Sequence, residues 1–403
     1  MVRAAIIPAL APIFKKKSEK RFPDAGFSLL YQTLPTIASS LNKRMPTESL
    51  SQPDKKVPDP LGFFQVVHEK FQEAERNAGG PLDVFCEMAG YKIRLRFAGP
   101  ALVPFILPAL EHLIAAPCSA PALTICLWDS VSTQTRMPPP PWSESDYTPL
   151  RGIDHYTDDH TYTAFNLLTD ILSLLDTKRN LAIYWIRDAS QVPYFESGAP
   201  LLTILHWWMG NRQRQLIHAG AVGTAKGGVL LVGKGGSGKS STCLLCLESP
   251  LLYAGDDYCL ITTKSALHVH SIYSSGKVDA KDIGRFPFLA PALNNADHLD
   301  REKALYFLHP HFPGKISAGF PIRAILLPRV TGRRETGLKE ISASESLLAL
   351  APSTIFQLPG AGHEAFKRLN EMVKQVPSFV IELGINLAEI PATISRLITS
   401  LSE

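Results

Sequence analysis

Gly233-Lys234-Gly235-Gly236-Ser237-Gly238-Lys239-Ser240 sets glycines, a lysine and a hydroxyl at the spacing G-x-x-x-x-G-K-[ST]. The chemistry such a run can do is phosphate binding. Bare glycines let successive backbone N–H groups turn toward phosphate oxygens, and a helix opening behind them adds its positive dipole end. Lys239 is expected to reach the β- and γ-phosphates and the Ser240 hydroxyl to ligate magnesium, with Ser241 extending the contact. ATP and Mg²⁺ are therefore the expected cofactors.

A second polar group lies downstream, where Asp256-Asp257 interrupts the apolar run Leu251–Ile261. Burying two unpaired carboxylates is costly, so an adjacent pair inside a strand-like pattern calls for a role. One can organise magnesium, as the aspartate after the strand of a P-loop fold does, and the other can take a proton from a hydroxyl. Asp256 is taken as the base and Asp257, with Ser240, as the metal ligand, although spacing gives no orientation. His218 is the histidine on the strand ahead of the loop. Lys277 is a candidate phosphate contact, and Arg285, Arg323 and Arg329 could serve a similar electrostatic role.

These residues need elements to hold them. Gly227–Val232 reads as a buried strand and Ser240–Leu247 as a helix, which is the context a phosphate loop requires. Gln215–Val222 reads as one strand carrying His218. Leu251–Ile261 reads as a strand that could return beside the loop strand. Further strands are expected at 91–97, 122–128, 181–186, 322–327 and 378–383. Helices are expected at 61–76, from 200 toward 214, at 342–350, at 363–376 and from about 391. The tryptophans Trp207 and Trp208 suit packing between domains. Met137–Trp142, with four consecutive prolines, reads as an extended connector.

The resulting fold class is α/β (α+β). A C-terminal P-loop domain (196–403), its mixed sheet flanked by helices, follows a smaller α+β domain (81–195) suited to substrate or partner docking. Residues 1–80, rich in Lys, Ser and Pro, form a poorly defined extension. Its first residues, Arg3, the apolar Ala4–Phe14 and Lys15–Lys17, read as a mobile tail.

Composition narrows the class. A formal charge of +4 is too small to imply nucleic acid. No apolar stretch is long and uninterrupted enough to span a membrane, since the most apolar one carries Pro100, Pro104 and Pro108. The six cysteines lie in apolar stretches and suit reduced, buried thiols in a cytoplasmic protein.

Leu216–Val222, Gly228–Gly233, the loop and Gly255-Asp256-Asp257 follow one another in an order that resembles bacterial HPr serine kinases. It also resembles the related kinases found near lasso-peptide clusters and, more distantly, ATP-dependent phosphoenolpyruvate carboxykinase. The resemblance covers roughly residues 215–262. It implies that His218 assists an active-site aspartate and that the Asp pair supplies the base and helps place magnesium. The chain departs from the family at Ser241, where a glutamate is usual, and lacks the Arg- and Glu-rich signature linked to HPr binding and phosphorolysis. The expected activity is transfer of a γ-phosphate to a hydroxyl, a serine of a protein or peptide. A small-molecule, amino-acid-type kinase and a non-catalytic nucleotide-sensing ATPase are the alternatives, and a homo-oligomer is left open.

Overall fold

A computed structural model describes residues 57–148, 151–264 and 266–401. The chain separates into residues 1–57 and 58–403, and the architecture below is that of the second unit. The N-terminal tail expected over the first residues lies outside the described residues.

Helix α1 (Pro60–Asn77) starts where the sequence allows a start. Asp59 caps it, accepting from the Gly62 N–H at 2.8 Å, and Pro60 fills a first-turn position that has no need of a donor. Phe63, Phe64, Val67, Phe71 and Ala74 recur at helical spacing and are buried. They pack on Trp128, Leu172, Leu174, Ile183 and Trp185, so this helix, read in the extension, covers a face of the first sheet. Each large buried apolar side chain contributes about 1.5–3 kcal/mol.

That sheet has six strands, β1 (Pro81–Met88), β2 (Tyr91–Ala98), β3 (Leu123–Asp129), β4 (Thr161–Asn166), β5 (Ile171–Asp176) and β6 (Leu181–Ile186). Their order is β1-β2-β3-β6-β5-β4. The β2–β3 and β3–β6 ladders are parallel and the others antiparallel. Strands β2, β3 and β6 match the alternating and apolar runs of the sequence. The proline run is not a free spacer throughout, since Trp142 packs edge-on against Phe63, with centroids 5.0 Å apart.

Two helices lead onward, the short α2 (Tyr194–Gly198) and α3 (Leu202–Gly210). Trp208 meets Tyr91 of β2 edge-on and donates from Nε1 to Asn180, while Trp207 donates to the Pro359 carbonyl. The tryptophan pair thus sits between the two sheets. One continuous apolar cluster runs from Ile93, Leu95 and Tyr184 through Leu205 and Trp208 to Leu260, Ile272 and Phe307.

The second sheet contains β7 (Arg214–Ile217), β8 (Gly220–Thr224), β9 (Gly227–Leu231), β10 (Leu252–Gly255), β11 (Cys259–Thr262) and β12 (His268–His270). A separate ribbon pairs β13 (Ser275–Val278) with β14 (Ala304–Phe307). The sheet is completed by β15 (Gly319–Val330), β16 (Gly337–Ile341) and β17 (Ser378–Leu383). The order β10-β8-β9-β15-β12-β11-β7 runs through β15, to which β17 adds in parallel and β16 beyond it. Helices α4 (Lys239–Leu245), α5 (Ala343–Ile355), α6 (His363–Val373) and α7 (Glu389–Ser400) flank it. The fold is therefore mixed α/β.

Two expectations change. Each of the runs 215–222 and 251–261 is two strands rather than one, because the antiparallel ladder opens between the pairs Ile217–Cys259 and Ala221–Gly255. In addition, β10 does not lie beside the loop strand; β8 stands between them. The apolar pattern hid both features, since residues on either side of the opening are equally buried.

Candidate functional site

The opening in the ladder is what exposes chemistry. Between β7 and β8 it frees His218 and Ala219, and between β10 and β11 it frees Asp256, Asp257 and Tyr258. Beyond it the strands change partners: β7 pairs with β11, whereas β8 pairs with β9 and β10. Ligands of open α/β sheets collect where strand partnerships switch in this way, because the crossing segments leave a crevice. Cys259 Sγ donates to the Ala219 carbonyl at 3.2 Å and fixes the two crossings against each other.

Across this crevice His218 Nε2 lies 2.9 Å from Asp257 Oδ1, and Lys277 Nζ lies 2.6 Å from Asp257 Oδ2. The Lys277 backbone N–H donates to Asp256 Oδ2 at 3.1 Å. A single β-ribbon residue thus holds both carboxylates, one through its main chain and one through its ammonium. The His218 ring also lies against Tyr258, with centroids 5.4 Å apart, and the Tyr258 hydroxyl donates to Gln357 Oε1. The His218 backbone N–H donates to Thr354 Oγ1 of α5.

The two carboxylates differ sharply in environment. Asp256 is 2% exposed, and its Oδ1 has no partner in the protein. Burial, with the neighbouring Asp257 charge, pushes its pKa up to about 6, against the opposing pull of the Ser240 hydroxyl and the Lys277 N–H. Asp257 keeps 29% of its side chain accessible. Burial acts to raise its pKa too, but Lys277 and His218 outweigh it and hold the group well below the usual carboxylate range.

The glycine loop joins β9 to α4 at the same end of the sheet. Gly238 takes φ +103°, which favours glycine, and a Cβ there would fall 2.6 Å from Leu383 Cδ1. Lys239 is buried, with its ammonium donating to the Gly233 carbonyl at 2.7 Å and the Lys234 carbonyl at 3.2 Å. Burial lowers its pKa, while the charges of Asp257 and Asp256 act to raise it.

The structure therefore gathers Gly233, Lys234, Gly235, Gly236, Ser237, Gly238, Lys239, Ser240 and Ser241 on the loop and helix start, with Asp256, Asp257, His218 and Lys277 beside them. Lys277, expected against phosphate, engages the carboxylates. Arg323 is not part of the group: it donates to the Lys226 carbonyl at the opposite end of β9. Arg285 faces Asp282 at 3.7 Å in the segment after β13.

Sequence reasoning missed Tyr258, Gln357 and, from the first sheet's side, Glu196 on α2. Burial raises the Glu196 pKa to about 7, against the Leu201 N–H and the Arg151, Tyr184 and Lys277 groups. A cavity of 20 Å³, lined by Arg151, Ser173, Glu196 and Thr203 among others, is room for a single water. Adjacency of Asp257 and Tyr258 was the available signal for the tyrosine; nothing local in the sequence points to Glu196.

Of the six cysteines, five are buried and Cys118 is partly exposed, with all six free. Among the described residues, no helix is long and apolar enough to cross a membrane.

No family model matches the chain, and no curated protein matches it. Among solved structures it is similar to the HPr(Ser) kinase/phosphatase from Coxiella burnetii, at 11% identity, over 46% of this chain and 95% of that one, with a TM-score of 0.26. A score that low does not establish a common fold.

Proposed function

We propose that the chain is an ATP-dependent kinase that transfers the γ-phosphate to a hydroxyl, with a serine of a protein or peptide as the acceptor implied by the sequence resemblance. The observation that carries this reading is the crevice itself. A glycine loop with Lys239 and Ser240 lies beside one buried carboxylate with a free oxygen and a second carboxylate oriented by His218 and Lys277.

The roles of the aspartates follow from their surroundings, and they are the reverse of those taken from the sequence, where spacing gave no orientation. Asp256 lies beside the Ser240 hydroxyl and keeps Oδ1 unpaired. A carboxylate and a hydroxyl together suit Mg²⁺, which takes one or two protein oxygens and completes its shell with water and phosphate. Ser240 and Asp256 would hold the metal, which supplies neutralisation of charge on the phosphate oxygens. Asp257, the more accessible of the two, is the base.

In the proposed step, loop amides and Lys239 hold the triphosphate. The acceptor hydroxyl gives its proton to Asp257 as its oxygen bonds to the γ-phosphorus. The bond from that phosphorus to the β,γ-bridging oxygen breaks, and ADP leaves. His218 and Lys277 keep Asp257 ionised and aimed. Because the transition state is loose, the base mainly positions the hydroxyl, so a low pKa is compatible with the role.

Labelled ATP with Mg²⁺ and a cell lysate tests this. A phosphorylated hydroxyl acceptor should appear by mass, and Asp257→Asn should cut its formation by about 10²–10⁴-fold while nucleotide still binds. Full activity in both Asp256→Asn and Asp257→Asn would rule the mechanism out.

A further inference from the structure

The loop strand β9 has different company on its two sides. On one side stand β8 and β10, the latter ending in the Asp pair. On the other, β15 and β17 run parallel to β9 and end at Val330 and Leu383, at the same end of the sheet as the glycine loop. In an in-line transfer the acceptor and leaving oxygens lie on opposite faces of the phosphorus. With the acceptor's base on the β10 side, the rest of the donor must extend toward β15 and β17, about 5 and 10 Å from β9.

What lies there is an apolar surface on a braced scaffold. Val330, the last residue of β15, and Ile385, two residues beyond β17, are each 68% exposed. The backbone beneath is tied across the two loops. Thr331 donates from N and Oγ1 to the Leu383 carbonyl, Ile385 N to the Arg333 carbonyl at 2.8 Å, and Asn386 N to the Arg334 carbonyl. The platform is continuous with the phosphate loop, since the space above Gly238 is bounded by Leu383, Pro328 and Val330.

We propose that Val330 and Ile385 form the platform on which the nucleobase of the donor nucleotide rests. This rests on the phosphoryl-transfer reading above. A flat, weakly polar ring gains by covering exposed aliphatic surface, and a scaffold that is already tied together loses little freedom when it does so. Inorganic tripolyphosphate offers the loop the same phosphates and the platform nothing.

The test therefore compares Mg²⁺–ATP with Mg²⁺–tripolyphosphate. In the intact protein, methyl resonances of Val330 and Ile385 should shift with ATP, through the ring current of the base, and stay in place with tripolyphosphate. In the double variant Val330→Ser, Ile385→Ser, ATP affinity should fall about tenfold and tripolyphosphate affinity should hold. Methyl resonances indifferent to ATP, or equal losses for both ligands, would overturn the platform. Binding of neither ligand by the intact protein would instead remove the phosphate-loop reading on which it stands.

Discussion

The two sheets treat their buried carboxylates in opposite ways. In the first, Asp129 ends β3 and accepts from the Ser132 N–H at 2.8 Å as a helix cap. Asp176 ends β5 and accepts from the Lys178 and Arg179 N–H groups and from Arg179 Nε. Both are consumed by turns. In the second, Asp256 Oδ1 is, among the described residues, the one buried carboxylate oxygen left without a partner. Strand ends in both sheets carry aspartates, so position alone does not separate structure from chemistry. What separates them is whether the local backbone has already satisfied the group.

If the first sheet were only a docking module, the second should survive without it. The shared cluster argues otherwise, because Leu205, Trp208, Leu216 and Leu260 lose their apolar partners when β1–β6 go. Residues 196–403 alone should therefore fail to unfold cooperatively by calorimetry, the largest effect expected here. A sharp transition near that of the whole chain would show the sheets to be independent.

A finer probe is Gly198, at the end of α2. Its missing side chain leaves room for Lys277, and an added Cβ would fall 2.8 Å from Lys277 Cε and 2.9 Å from Leu305 Cδ1. Both are ends of flexible side chains and can move aside, so Gly198→Ala should fold. It should nevertheless pull Lys277 off Asp257 and lower kcat about tenfold, with KM for ATP unchanged. In a Lys277→Met background the same change should do little more, and additive losses would place its effect elsewhere.

The smallest effect concerns Glu196. Its carboxyl is raised from 4.5 to about 7 in the folded chain. Folded protein then holds a proton that unfolded chain has released, so this group's contribution to stability is greatest below pH 4.5 and is lost as pH rises through 7. Glu196→Gln should flatten this part of a Tm-against-pH profile. Asp256, raised to about 6, adds a slope of the same sign that both proteins share, so the difference between the two profiles isolates Glu196.

Much of this was legible in the residues. The glycine loop, the helices at 60–77, 343–355 and 363–373 and the strands carrying strong alternation announce themselves through spacing. The site's parts were legible too, because a histidine and two aspartates inside apolar runs violate the pattern around them. Their pairing was not. His218 and Asp257 meet because a ladder opens between equally apolar neighbours, and no periodicity marks the place. Strands β4 and β5 have modest patterns, and their pairing decides them, β5 against β6 and β4 against β5. Lys277 was named for phosphate, but its contact with the carboxylates, like the burial of Glu196, comes from distant packing, which one sequence does not encode locally.

Strand β15 has a last consequence. It is the parallel neighbour of β9, yet some ninety residues separate Gly227 from Gly319. A ribosome adding about 5–20 residues per second leaves the loop strand waiting several seconds for that partner. Through that interval Gly238 has neither Pro328 nor Leu383 to lie against. During synthesis, then, the surroundings of Gly238 are completed in two late steps, β15 first and Leu383 of β17 some fifty residues later. A nascent chain halted before β15 would carry the full glycine motif without the strand neighbours that pack against it.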